Sequence, residues 1–340
     1  MDHFLENKKK NDNCLDLIRI IAAFQVMFGH LVEHLELPID DTIFHISFFL
    51  RGVPIFFVIS GFLMWFSIGR SKTYGQYLKK RLWRIYPELW VAVAVEIIVL
   101  IIVYEGWNLK QLLLFAFGQG SIFQFWTPDS LRAYGVGTPN GALWTIGVMI
   151  QFYVVVWFFY KLMKNCSKWA WIIVFFASFG FSFLFGWITH DLFQIEIIGK
   201  LYDQSFIKYF WLFFIGMFIA KFIDSFLPIL TKYWYSFLLI AFLFFWTGWD
   251  LFSGYYLMWS IFLALGLIGF AYRYPLLSIS PDISYAFFLY HMTVMNVFVN
   301  YKLIDDWIYA LGVFAITVFV SFISTITVGK WSANRKKLSL

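Results

Sequence analysis

Five ionisable side chains interrupt one apolar run near the start of the chain: Asp16, Arg19, His30, Glu33 and His34. At 3.6 residues per turn, Arg19 and His30 share a helix face and lie about 16 Å apart along its axis. A charge at membrane depth costs about 2.5–3.5 kcal/mol on insertion, so such residues usually line a polar cavity. A neutral imidazole can also remove a proton near neutral pH. We therefore predict a functional polar stripe, with His30 as the candidate general base.

Asp16, Glu33 and His34 have a second interpretation. Asp16 lies at one end of the apolar run, where its side chain can reach the cytoplasmic interface, and Glu33 and His34 lie at the other end. Both interpretations stay open for these three residues. Asp16 and Glu33 are therefore candidates for the lining of a substrate cavity.

A basic segment follows the second apolar run, with six Lys and Arg residues between positions 70 and 86. Arg81 and Arg84 share a helix face at i, i+3. Pro87 suits the first turn of a third span. Two guanidinium groups beside a helix N-terminus would form a site for the phosphates of a cytosolic ligand. The alternative is ordinary positive charge on a cytoplasmic loop.

A third group lies near the end of the chain. Residues 280–282 (Ser-Pro-Asp) predict a helix start, and Ser284, Tyr285 and His291 follow it. Aromatic packing alone explains the tyrosine. A histidine in the middle of a span is a candidate cavity residue, so His291 is a second candidate histidine in addition to His30.

The elements that hold these side chains must be membrane helices. The chain has 340 residues, of which 61% are hydrophobic, 24% aromatic and only 14% charged. A soluble domain is closer to one quarter charged, so the excess apolar surface requires lipid. Only helices satisfy their own backbone in lipid. We predict an all-α, polytopic bundle of about ten spans near 15–36, 43–67, 87–104, 142–163, 169–189, 206–223, 233–249, 254–272, 282–300 and 307–329.

The Lys and Arg residues between the spans predict the orientation. With a cytoplasmic N-terminus, 19 of the 26 basic residues fall in cytoplasmic segments and 6 in outer ones. Both ends are therefore predicted to be cytoplasmic, with a segment 1–14, a membrane domain 15–329 and a basic tail 330–340. The apolar stretch 109–126 is predicted to be a re-entrant or interfacial part of the outer loop. The two cysteines, Cys14 and Cys166, are predicted to be free thiols.

Five motifs in the same order resemble the acyltransferase-3 family of membrane acyltransferases, and the likeness covers nearly the whole chain. They are the Arg and His of the first span (15–30), the second-span run RGVPIFFVISGF (51–62), the paired-arginine run RLWRIYP (81–87), the fourth-span run NGALWTIGV with QFY (140–153), and the late run SYAFFLYH (284–291). One position departs from the family pattern, because Met149 stands where relatives commonly have a glutamate.

The resemblance implies an O-acetyltransferase in the cell membrane. Its co-substrate would be acyl-CoA, most simply acetyl-CoA, and its acceptor an exported glycan or lipid-linked saccharide. His30 and Arg19 would be catalytic, and Arg81 and Arg84 would hold the phosphates of CoA. Further candidates for the cavity lining are Trp144, Tyr153, Ser284, Tyr285 and His291. No bound cofactor, metal or nucleic acid is expected.

Two other functions stay open at this point. Asp40 and Asp41 form a carboxylate pair that could hold a divalent metal in a polytopic glycosyltransferase. Arg19, His30 and His291 could instead form the polar pathway of a transporter, although inverted repeats and broken helices do not stand out in the sequence. Metal dependence would identify the first, and substrate flux without acyl-CoA the second.

Overall fold

The computed structural model describes residues 13–193, 196–249 and 256–338. Helix predominates throughout these ranges, and they contain no β-strand. The predicted N-terminal segment 1–14 lies mostly outside them, as do the last two residues of the tail 330–340.

Fourteen α-helices occur in the described part of the chain. In order they are α1 Leu15–His34, α2 Asp41–Ser47, α3 Gly52–Gly69, α4 Tyr74–Val103, α5 Leu109–Gln119, α6 Trp144–Met163, α7 Lys168–Trp187, α8 Glu196–Asp203, α9 Phe206–Lys221, α10 Ile223–Thr247, α11 Leu257–Arg273, α12 Ser284–Asn300, α13 Trp307–Ser324 and α14 Lys330–Leu338. Two π-helical turns, Ile188–Leu192 and Thr325–Gly329, follow α7 and α13.

Each of the ten predicted spans overlaps one helix of at least 16 residues. Seven helical stretches among the described residues are long and apolar enough to cross a membrane. The predicted fold class, an all-helical polytopic membrane protein, is confirmed. The span count of ten and the cytoplasmic ends stay predictions. Within the predicted outer loop, α5 has 11 residues, about 16 Å of helix, which is too short to cross the hydrocarbon core.

The start of the third span was predicted wrongly. α4 begins at Tyr74 rather than at Pro87, and the hydroxyl of Thr73 caps it by accepting from the backbone N–H of Gln76 at 3.2 Å. Arg81 and Arg84 therefore lie inside a helix. Pro87 is an internal residue, so the helix N-terminus invoked beside the two arginines is absent there. A good cap and a run of helix-forming residues outweigh the loop-like charge of this segment.

The described chain forms two compact units. The first comprises residues up to 22 together with 45–70 and 156–280. Within it, α3 and α9 pack backbone against backbone. A Cβ atom on Gly216 would overlap the Val58 carbonyl, and one on Gly61 would overlap the Phe213 carbonyl. Small residues at such crossings let membrane helices approach closely.

The second unit comprises residues 23–44, 71–155 and those from 281 onward. It holds the C-terminal part of α1, together with α4, α5, α12 and α13. The loop after α1 is tied to the loop before α13 by two hydrogen bonds: the backbone N–H of Asp305 donates to the Leu35 carbonyl at 2.8 Å, and the Trp307 indole donates to the Pro38 carbonyl at 3.1 Å. Most of the predicted site residues belong to this unit.

Candidate active site

His30 and His291 are brought together in the second unit. Their ring centroids lie 5.3 Å apart, and the ring of His34 lies 5.6 Å from that of His30. His291 is fully buried, whereas His30 and His34 are half-buried. Two of these histidines share α1 through their i, i+4 spacing, and α12 supplies the third. The structure therefore brings together two candidate histidines, one from the first span and one from a late span, that the sequence singled out separately.

Hydrogen bonding fixes the protonation of both rings. His291 Nδ1 lies 2.9 Å from the Phe288 carbonyl oxygen, and His30 Nδ1 lies 2.9 Å from the Met292 sulfur. Neither partner carries a proton to give, so in each neutral ring Nδ1–H donates and Nε2 holds the lone pair. Among the described residues, Nε2 of His291 has no hydrogen-bond partner. Two imidazole Nε2 atoms are thus available to accept a proton.

The loop before α6 is fastened to α12 by two asparagines. Asn296 accepts from the backbone N–H of Val136 at 2.9 Å, and its amide donates to the carbonyls of Thr138 and Pro139 at 3.0 and 2.6 Å. Asn140 donates to the Leu289 carbonyl at 2.9 Å. Both asparagines are buried, so these bonds form in a low dielectric. Neither asparagine was among the predicted site residues.

A buried glutamate faces this loop. Glu96, on α4, is 2% exposed and lies beside the side chains of Asn140 and Thr293. Tyr134 lies close by: burial raises the pKa of its phenol, and the Glu96 carboxylate raises it further. Leaving a buried polar atom without a hydrogen-bond partner costs about 1–3 kcal/mol. The grouping of Glu96, Asn140 and Tyr134 in a buried position therefore needs an explanation.

The two arginines of α4 differ in their surroundings. Arg81 is buried, and its guanidinium carbon lies 6.0 Å from the ring centroid of Tyr153. Arg84 is exposed, and its charge acts on Tyr153 and on Tyr285. Three predicted site residues from α4 and α6 are therefore close together, with one cation free to meet a ligand.

The late motif contributes Tyr285, whose hydroxyl donates to the Ile85 carbonyl at 3.0 Å. This bond holds the first turn of α12 beside the arginine-bearing turn of α4. α12 begins at Ser284, two residues later than the predicted span, and its cap residue is Ile283 rather than Ser280. The backbone N–H of Ser284 donates to Asp282 at 3.0 Å. His291 lies six residues after Tyr285, about 9 Å along the helix axis. α12 therefore connects the arginine end of the site with the histidine end.

Glu88 is a further residue that the sequence did not single out. It is buried one turn beyond Arg84, and the hydroxyl of Ser324 donates to its carboxylate at 3.0 Å. Tyr290 donates in turn to Ser324 at 3.4 Å. This chain of hydrogen bonds joins α4, α12 and α13 behind the arginine end of the site.

The remaining predicted residues are placed as follows. Asp16 accepts hydrogen bonds from the Ser278 hydroxyl, at 2.8 Å, and from the backbone N–H of Ile279, which gives it an anchoring role in the first unit. Arg19 is a half-buried residue of α1 in the same unit, and Trp144 is the half-buried first residue of α6. Glu33 is exposed, and its charge acts on His34.

Asp40, considered as a metal ligand, instead accepts from the backbone N–H groups of Thr42 and Ile43 at 2.9 and 3.2 Å at the start of α2. Asp41 is exposed beside it. In the described ranges, no three His, Cys, Asp or Glu side chains are grouped so that they could hold a metal ion.

Comparison with protein families gives a match that includes both the arginine-bearing helix α4 and His291 on α12. The acyltransferase-3 model, described as an acyltransferase domain, covers residues 12–326. The chain belongs to the acyltransferase-3 family. The predicted enzyme family is thereby confirmed, and the paired histidines and the arginine helix of this acyltransferase-3 protein lie within the matched residues.

Two curated relatives were found. Nodulation protein 10 of Rhizobium leguminosarum bv. viciae is 29% identical over 227 residues, which is 62% of this chain and 60% of the relative. The O-acetyl transferase of Shigella phage Sf6 is 29% identical over 181 residues, 49% of this chain and 51% of the relative. The chain thus spans between half and three fifths of the length of these relatives. No solved structure matches the chain.

Proposed function

We propose that this acyltransferase-3 protein transfers an acetyl group from cytosolic acetyl-CoA to a hydroxyl of an extracytoplasmic glycan or lipid-linked saccharide. The observation that carries the proposal is the contact between His30 and His291, in which Nδ1 of each ring lies against an acceptor and Nε2 of His291 has no hydrogen-bond partner among the described residues. The name of the phage relative, an O-acetyl transferase, supports the same reaction.

Arg84 and Arg81 form the donor end of the site. A guanidinium group binds phosphate oxygens in a bidentate manner, which suits the phosphates of CoA. Arg84 is exposed and so meets the cytosolic ligand, while Arg81 lies behind it against Tyr153. The pantetheine arm would then run along α12 from the level of Tyr285 towards His291.

The reaction follows from the protonation of His30. Its Nε2 takes the proton of the acceptor hydroxyl, and the oxygen attacks the carbonyl carbon of the thioester. A carbon–oxygen bond forms and the carbon–sulfur bond breaks. The CoA thiolate leaves and recovers the proton from the His30 imidazolium. His291 lies close enough to hold that proton in transit.

The same two histidines also support a two-step route. In it, His30 Nε2 attacks the thioester carbonyl first, the carbon–sulfur bond breaks and the CoA thiolate leaves, so that His30 carries the acetyl group as an acyl-imidazole. The acceptor hydroxyl then displaces His30 from the acetyl group, and its proton passes to His291 Nε2 and from there to the CoA thiolate. Rapid acid quenching with acetyl-CoA alone distinguishes the routes, because only the two-step route leaves an acetyl group on the enzyme. Intact-mass measurement detects it.

The test uses purified protein in lipid vesicles with radiolabelled acetyl-CoA and surface polysaccharide from the source cells, first deacetylated with alkali. We expect label in the polysaccharide in proportion to the free CoA thiol released. A His30→Ala variant should give neither. Release of CoA without polysaccharide labelling would contradict the acceptor class, and absence of both would contradict the proposed acetyl transfer.

A further inference from the structure

Three buried polar atoms close to the histidine pair lack hydrogen-bond partners within the described residues. They are Oε1 of Glu96, Oδ1 of Asn140 and the hydroxyl of Tyr134. Their side chains are at most 2% exposed. Glu96 lies beside Asn140, and its charge acts on Tyr134, so the three form one group, here called the Glu96 cluster. Unpartnered atoms are rare in buried positions, and a group of three points to a ligand.

The Glu96 cluster contacts a different face of α12 from the face that carries His291. Leu289, Thr293 and Asn296 share one face through their i, i+4 and i+7 spacing, and this face meets Asn140 and Glu96. At 100° per residue, His291 lies about 160° around the helix from Thr293. The cluster is therefore a separate feature from the proposed base.

Met292 lies between the two features. Its sulfur contacts Nδ1 of His30, and its terminal methyl lies 3.9 Å from the Cβ position of Gly141, the neighbour of Asn140. One methionine side chain thus separates His30 from the Glu96 cluster. Methionine has three rotatable bonds and repacks easily, so its movement would join them.

The chemistry of the cluster selects a class of ligand. Asn140 Oδ1 and the Glu96 carboxylate accept hydrogen bonds, and the Tyr134 hydroxyl both donates and accepts. Such a set matches adjacent hydroxyl groups, which donate and accept in turn. We propose that the Glu96 cluster is the binding subsite for the hydroxyl groups of the acceptor saccharide, which reaches His30 when Met292 moves aside. The proposal rests on the acetyl transfer proposed above for its acceptor.

The test measures saccharide and acetyl-CoA binding separately by calorimetry. The saccharide probe is an oligosaccharide fraction of the alkali-deacetylated surface polysaccharide. Tyr134→Phe removes one hydroxyl, and Glu96→Gln keeps the shape of the side chain while replacing one carboxyl oxygen with an amide nitrogen. We expect each variant to raise the saccharide Kd about tenfold, the effect of one lost hydrogen bond, with the acetyl-CoA Kd unchanged. Thr317→Val is the matched control, because Thr317 is buried, has an unpartnered hydroxyl and lies outside the cluster.

The outcomes separate the two proposals. Unchanged saccharide affinity in both variants, or a parent protein that does not bind the saccharide, would overturn the subsite. Saccharide binding that is lost in both variants and kept in Thr317→Val supports it, even if acetyl-CoA is not bound. Failure to bind acetyl-CoA would overturn the proposed reaction alone.

Discussion

His30 and His291 face each other with their rings tilted by 41° and their centroids 5.3 Å apart, although they belong to the first and the twelfth helix. Nδ1 of each ring lies 2.9 Å from an acceptor, and among the described residues Nε2 of His291 has no hydrogen-bond partner. In the proposed reaction the pair acts as one proton-handling unit. The effect of substituting one histidine on the rate should therefore depend on whether the other histidine is present.

A double-mutant cycle tests this coupling. We expect His30→Gln to lower the acetyl-transfer rate by about 10²–10⁴, because glutamine keeps hydrogen bonding but cannot act as a base. His291→Gln should lower it less, and the double variant should be little worse than His30→Gln. The measurement is polysaccharide labelling per unit of folded protein.

His45→Gln is the control for the histidine cycle, because His45 stacks on Phe245 in the other unit. It should keep the parental rate. Strictly additive losses in the double variant would contradict the coupling, and a near-parental rate in His30→Gln would remove His30 from the mechanism.

Substitutions of the two arginines of α4 should differ in their effects on acetyl-CoA binding and on protein stability. Arg84 is exposed, so Arg84→Ala should cost about 1.5–3 kcal/mol of acetyl-CoA binding, roughly ten- to a hundredfold in Kd, with little effect on Tm. Arg81 is buried against Tyr153, so Arg81→Ala should also lower Tm. Calorimetric titration and thermal unfolding measure the two effects. Lys72→Ala, which removes another exposed charge, is the control. An equal loss of acetyl-CoA binding in that variant would show that Arg84 acts only as a nonspecific charge.

The two cysteines are free, as predicted, and should differ in reactivity. Burial raises the pKa of the Cys14 thiol to about 11, and the Asp16 carboxylate adds to the shift. A raised pKa keeps the thiol protonated at neutral pH, and the thiolate is the reactive form. Maleimide at pH 7 should therefore label Cys166, which is partly exposed, well before Cys14. Peptide mass mapping gives the ratio, and equal labelling in folded protein would contradict the burial of Cys14.

The close crossing of α3 and α9 predicts a large effect from one methyl group. In Gly216→Ala the new Cβ would overlap the Val58 carbonyl. Because the overlap is with backbone, it can be relieved only by moving α3 and α9 apart. We expect a loss of about 1–3 kcal/mol, seen as a lower temperature of aggregation in detergent. Gly180→Ala is the matched control, because no atom lies within 4 Å of its Cβ position, and it should be neutral or stabilising. Equal tolerance of both changes would contradict the crossing.

Much of the fold and several candidate site residues could be predicted from the sequence. The ten apolar runs, the polar residues of α1 and the candidate histidine His291 follow from local rules, because lipid requires helices and tolerates few charges. The start of α4 was predicted wrongly because basic residues resemble a loop while also forming helix well. Local charge and helix propensity gave opposite indications, and propensity with the Thr73 cap prevailed.

The contacts of Glu96, Asn140 and Asn296 could not be assigned in the same way. Glu96 is a single carboxylate near the middle of the predicted span 87–104, so the rule that selected His30 also marks it as a candidate but does not say what it contacts. Its partners come from the loop after α5 and from α12, far away along the chain. A hydrogen bond between distant segments leaves no periodic signal, so only the folded chain reveals the cluster.

The way Asn296 holds the loop before α6 affects how relatives of this protein can diverge. All three of its bonds go to main-chain atoms of Val136, Thr138 and Pro139, and its amide lies against Gly135, which has a φ of 53°. Thr138 is also held by its own hydroxyl, which lies 2.8 Å from that of Thr127. The side chain at 136 can therefore change without the loss of these bonds. Acceptor preference could then evolve by substitution at that position while the loop keeps its geometry.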